Sequence, residues 1–130
     1  LVDGACSIYD HRPRTCRTYD CRIFTATGIT PDGAPSDPIP LRVRSWRFDH
    51  PTAFDDDLRR ALLAAAEVLV RPDEELPEVL RSRSATRRAV LAVETAVAFL
   101  GPEDDDGRRP VIEPSLDAVA DHLRRTTRQP

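Results

Sequence analysis

Cys6, Cys16 and Cys21 are the only cysteines among 130 residues, and all three fall within the first 21 positions. They sit in the stretch CSIYDHRPRTCRTYDC with the spacing C-x9-C-x4-C. Clustered thiolates ligate soft metals, but this spacing is not a pair of C-x2-C knuckles. A closed zinc site takes four ligands in a tetrahedron, and an iron–sulfur cluster is normally held by four cysteines. His11 lies between the first two thiols and would complete a Cys3His zinc set. The alternative is a fourth ligand from upstream of Leu1, and spacing does not choose between them. Arg12, Arg14, Arg17 and Arg22 surround the thiols, against Asp10 and Asp20. Nearby positive charge favours the thiolate, the form that ligates metal, and guanidinium groups offset the negative charge of a thiolate-bound centre. The competing reading is plainer: cysteine is a small, commonly buried apolar residue, and the arginines face water.

The order of residues around the thiols adds a family likeness. CSIYDHRPRTCRTYDC resembles the C-terminal half of the cysteine-cluster signature in YkgJ-like proteins, the zinc- or iron-chelating CxxCxxCC family. The likeness is carried by Cys6, Ile8-Tyr9, Arg12-Pro13, Cys16-Arg17, Tyr19 and Cys21, with Gly4 suiting the small-residue turn before them. It spans residues 4 to 24. The resemblance implies a protein that chelates iron or zinc, with an iron–sulfur cluster among the forms to expect; some relatives are linked to flagellin lysine methylation. It implies Cys6, Cys16 and Cys21 as ligands, with Arg12, Pro13, Arg17 and Tyr19 shaping the loop. The family's upstream CxxCxxCC group is not in this sequence. Because the chain contains no methionine, those further ligands are expected upstream of Leu1.

The remainder of the chain must position this segment. At 130 residues, 40% hydrophobic and 32% charged, the composition predicts one globular domain with a heavily charged surface. The division expected is an irregular segment over 1–50, carrying part of the metal site, and a helical part of the same domain over 51–130. All 19 basic residues are arginine, and the net charge is -3. That balance argues against a dedicated nucleic-acid binder. No apolar run approaches the roughly 20 residues that span a bilayer, so no membrane partner is expected. No basic stretch followed by an apolar core opens the sequence. An odd number of cysteines also does not suit a secreted disulfide framework, so a cytoplasmic location is expected.

Along the chain, residues 27–40 hold four prolines and two glycines and read as a loop. Leu41, Val43 and Ser45 alternate with Arg42, Arg44 and Trp46, which predicts one short strand. Thr52 caps a helix, with Asp55, Asp56 and Asp57 placed where the helix dipole favours negative charge. Leu58, Leu62, Ala65 and Leu69 form its apolar stripe, and Pro72 closes it. A short helix is expected over 77–81. Ser84 or Thr86 opens the next helix, whose Ala89, Val90, Val93, Ala96, Val97 and Leu100 cover a wide face before Gly101 stops it. GPEDDDGRRP reads as a solvated acidic turn, since it lacks the alternating ligands of a calcium loop. Ser115 opens the last helix, with Leu116, Val119, Ala120 and Leu123 on its apolar side. The fold class expected is therefore mainly α: an irregular cysteine-bearing segment packed on three to four helices.

Other residues carry less. His50 and His122 lie far from the thiols, and Trp46 and Phe48 are expected to anchor the irregular segment on the helices rather than to shield a metal. The run RSRSATRR reads as a solvated helix start. There is no glycine-flanked serine elbow, no glycine-rich phosphate loop and no HExxH. A reactive thiol at Cys16 or Cys21 is the one nucleophile in view. The function expected is metal chelation, as iron–sulfur or zinc. The alternatives are an iron–sulfur enzyme in electron transfer or protein methylation, and a metal-free helical interaction module with structural cysteines.

Overall fold

The structure, a computed structural model, describes residues 21–127. Five α-helices occur among them: α1 (Arg22–Thr27), α2 (Pro38–Val43), α3 (Ala53–Leu69), α4 (Ala85–Thr95) and α5 (Leu116–Thr126). The fold is mainly α. Strand-like pairing among the described residues is limited to an isolated antiparallel bridge, Leu100 with Val111. No helix among them is long and apolar enough to cross a membrane.

The strand expected near Leu41 is instead α2. Asp37 stands at its N-cap without a side-chain bond to the helix; its carboxylate instead accepts from the Ala34 N–H at 2.8 Å, tightening the preceding turn. Pro38 and Pro40 stand in the first turn, where no helical partner awaits an N–H, so prolines that read as loop residues begin a helix here. The alternation of Leu41, Val43 and Ser45 does not describe a pleated surface. α1 likewise lies inside the segment expected to be irregular. It ends at Gly28, whose φ of 70° and N–H to the Phe24 carbonyl (2.9 Å) form a left-handed cap. The Thr25 hydroxyl donates to the Val43 carbonyl at 2.7 Å and ties α1 to α2.

α3 starts on a complete capping box: the Thr52 hydroxyl accepts from the Asp55 N–H, and the Asp55 carboxylate accepts from the Thr52 N–H, both at 3.1 Å. Its buried positions are Asp57, Ala61, Ala65, Ala66, Val68 and Leu69. This face packs against α4, where Ala85, Ala89 and Ala92 are buried in turn. Ser84 caps α4 as expected. The buried side of this stretch is narrower than the sequence suggested, because Val93 on α4 and Val97 just beyond it are exposed.

The helix also stops early, at Thr95, whose hydroxyl donates back to the Leu91 carbonyl at 2.7 Å. Such a back-bond loosens the helical ladder, and a 3-10 turn, Ala96–Phe99, follows. Gly101 is not a left-handed helix stop. Its N–H donates to the Pro110 carbonyl at 2.8 Å, and an added Cβ would sit 3.0 Å from both that oxygen and Ile112 Cγ2.

Between α3 and α4 the chain makes two 3-10 turns, Asp73–Glu75 and Glu78–Leu80, each preceded by a proline. They deliver Leu76 and Leu80 to the core. α5 begins on Ser115 and buries Val119, Ala120 and Leu123 against α4 and the 3-10 turn after it. A single apolar cluster results, running from Phe24 and Ile29 through α3 and α4 to Leu123.

Candidate metal segment and the Asp57 ion cluster

Of the residues expected to hold a metal, Cys6, His11 and Cys16 lie outside the described residues. Cys21 stands at their edge. It precedes α1 as the N-cap, its carbonyl accepts from the Phe24 N–H at 3.3 Å, and its thiol is free and half-buried. Three residues later Phe24 is only 1% exposed. The last thiol of the sequence pattern is therefore joined to the core by less than one helical turn. Among the described residues no group of three or more His, Cys, Asp and Glu side chains is placed to hold a metal. His50 is exposed, and His122 lies half-buried on α5, well along the chain from Cys21.

Trp46 sits beyond α2, half-buried, with the guanidinium groups of Arg22 and Arg42 each 5.9 Å from its ring centroid. Those are cation–π distances, so Trp46 links α1 to the end of α2. Its indole N–H is buried with no acceptor among the described residues. Phe48, the other expected anchor, is exposed.

The strongest electrostatic feature was not anticipated. Asp57 is fully buried on α3, yet it is a carboxylate. Arg108 donates to it from Nε (3.0 and 3.2 Å) and from Nη2 (2.6 Å), the Arg109 backbone N–H donates at 2.7 Å, and the Arg60 guanidinium adds a further contact. The Arg108 bonds hold the Asp57 carboxyl well below the usual carboxylate range; the Arg109 N–H and Arg60 act in the same direction, and burial works against them. Asp57 in turn raises Arg108. Every donor comes from within two turns of α3 or from the loop over 101–110, so the cluster clamps that loop to the helix.

Within the loop, Asp104 Oδ1 accepts from the N–H groups of Asp106 (3.1 Å) and Arg108 (2.8 Å), and Gly107 takes φ 73°. The acidic run thus builds a turn that presents Arg108. A signal for Asp57 was present in the sequence, since it lies four residues before Ala61 and eight before Ala65, on the buried side of α3. A carboxylate on that side needs a cation, and Arg108-Arg109 supply it.

A perturbed buried carboxylate is also the mark of many active sites. Here its acceptor capacity is filled by protein donors, and none of the grooves described reaches it. A groove of about 480 Å³ lies elsewhere and is lined in part by Gly28, Asp32, Leu63, Glu67 and Arg88. Two of its polar residues are engaged within the protein: Asp32 accepts from the Ala85 N–H at 3.1 Å, and Arg88 pairs with Asp73 at 3.6 Å. The Asp57 cluster holds structure together. Compared with family profiles, with curated proteins and with solved structures, the chain shows no match.

Proposed function

We propose that this chain is a metal-chelating protein that binds iron, as an iron–sulfur centre, or zinc, through Cys6, Cys16 and Cys21. The observation that carries the reading is the ordered stretch CSIYDHRPRTCRTYDC, which holds every thiol of this sequence, with Arg12, Arg14 and Arg17 inside it and Arg22 directly after it. His11, or a thiolate from outside this sequence, is the fourth ligand. The placement of Cys21 supports the reading. A purely structural cysteine would be expected in the apolar cluster, whereas Cys21 is half-buried beside it and α1 anchors its backbone. α1 and the core behind it then act as the rigid support that a ligand set needs. The cytoplasm, where thiols stay reduced, is the location that suits such a site.

The test is metal analysis with a visible spectrum on protein purified without oxygen or chelator. Bound iron with broad sulfur-to-iron absorption, lost in Cys16→Ser and Cys21→Ser, is the result expected of an iron–sulfur centre. Colourless stoichiometric zinc, reduced by His11→Ala as well as by the cysteine variants, is the result expected of a Cys3His site. Metal-free protein, with cysteine variants that keep the wild-type fold, overturns chelation and leaves a helical interaction module.

A further inference from the structure

The chain is held firmly at Asp32 and again at Thr52, and loosely in between. The Asp32 carboxylate accepts from the Ala85 N–H at 3.1 Å, and Thr52 opens the capping box of α3. Over residues 33–51 a single residue, Pro40, is buried. Among the described residues, one hydrogen bond ties this segment to the rest of the protein, from the Thr25 hydroxyl to the Val43 carbonyl at 2.7 Å. The Arg22 guanidinium, 5.9 Å from the Trp46 ring centroid, and the packing of Val43 on the core add to it. Residues 102–118 are equally without a buried member, yet they are clamped. Arg108 and Arg109 grip Asp57, Gly101 donates to the Pro110 carbonyl, and Ile112 donates to the Phe99 carbonyl.

We propose that residues 33–51 form a strap that opens as a unit while α1, α3, α4 and α5 stay folded. A segment with little buried surface and few bonds across the chain opens at a lower free energy than the core does. Its own bonds travel with it: Ala34 N–H to the Asp37 carboxylate, the turns of α2, and the Ser45 hydroxyl to the Arg42 carbonyl. The ends supply the joints. Gly33 takes φ 112°, and residues 46–51 have no regular structure. Opening changes a groove of about 280 Å³, lined in part by Phe24 and Ile29 and, from the strap, by Pro35, Pro40 and Val43. The strap is therefore a lid on an apolar groove beside α1. The inference does not rest on metal binding.

The experiment is native-state hydrogen exchange, read residue by residue by NMR at several low urea concentrations. Leu41, Ser45 and Trp46, whose N–H groups donate to the carbonyls of Asp37, Arg42 and Val43, report the strap. Amides in the middle of α3 and α4 report the core. The three strap amides should share one protection, about 100-fold or more below that of the core, and nearly independent of urea while core exchange responds to it. Thr25→Val removes the hydroxyl donor at nearly constant volume. It should speed exchange of all three strap amides about fivefold and leave core exchange unchanged. Thr25→Ser keeps the donor and should exchange as wild type does. Strap amides as protected as the core overturn the proposal, as does equal acceleration of strap and core in Thr25→Val. Unequal responses of the three strap amides overturn opening as a unit. Strap amides without protection, indifferent to Thr25→Val, overturn the closed state itself.

Discussion

Phe24→Ala tests whether the cysteine segment rests on the helical core. Phe24 is 1% exposed, among the largest fully buried side chains, and α1 packs on both α3 and α4. Truncating a buried phenylalanine to alanine removes its transfer free energy and leaves a cavity, a loss of about 3 to 5 kcal/mol. A domain of this size has roughly 5 to 15 kcal/mol in total, so the variant should fold with a large part of its stability gone.

Urea denaturation followed by Trp46 fluorescence and far-ultraviolet circular dichroism is the assay. With a slope of about 1 to 3 kcal/mol per molar urea, the midpoint should fall by roughly 1 to 5 M, and both probes should shift together. If the chelation reading is right, metal retention should fall in the same variant, because Cys21 loses the anchor three residues away. A midpoint change below roughly 0.5 M at unchanged slope would show that α1 is not seated in the core, and the link from thiol to core would fail with it.

The Asp57 cluster makes a prediction about pH. Its carboxyl is held below its unfolded value, so it contributes stability above about pH 4 that is lost as pH falls through the folded value. Wild-type urea midpoints should therefore drop on acidification more steeply than those of Asp57→Asn, and the variant should be less stable at neutral pH because Arg108 is left without its anion; parallel curves would contradict the assignment. Gly28→Ala places a side chain at φ 70°, with Leu63 Cδ2 3.7 Å from the new Cβ. Space is available and the backbone is the obstacle, so a loss of about 1 to 2 kcal/mol is expected in denaturant titrations. Thr52→Ala removes one half of the capping box on α3 and should lower stability by about 1 kcal/mol, while Thr52→Ser should recover most of it.

Much of the helical architecture was legible residue by residue. Thr52 with Asp55, Ser84 and Ser115 each mark a helix start because a side-chain oxygen must meet N–H groups that lack helical partners, and that requirement is local. The apolar spacing of Val119, Ala120 and Leu123 told which side of α5 is buried for the same reason. α2 was misread because two prolines and a period-two pattern resemble a loop and a strand. Only the placement of Asp37 at the N-cap reveals that both prolines occupy a first turn.

The sequence by itself determined that the protein is mainly helical, where three of its long helices begin, and that the three cysteines of these 130 residues lie in one arginine-rich stretch. These follow from periodicity, caps and residue type, which act over a few neighbours. Tertiary structure decided what depends on residues distant in the chain. It set Asp57 against Arg108, 51 positions away, and so turned an acidic run into a clamp. It buried Leu76 and Leu80 through two proline-led turns, and left Val93 and Val97 outside a face they seemed to belong to. Among the described residues it also left Arg42, Arg44 and Arg47 without an ion pair. A carboxylate's partner, or an arginine's lack of one, is set by which surfaces the packed core brings together.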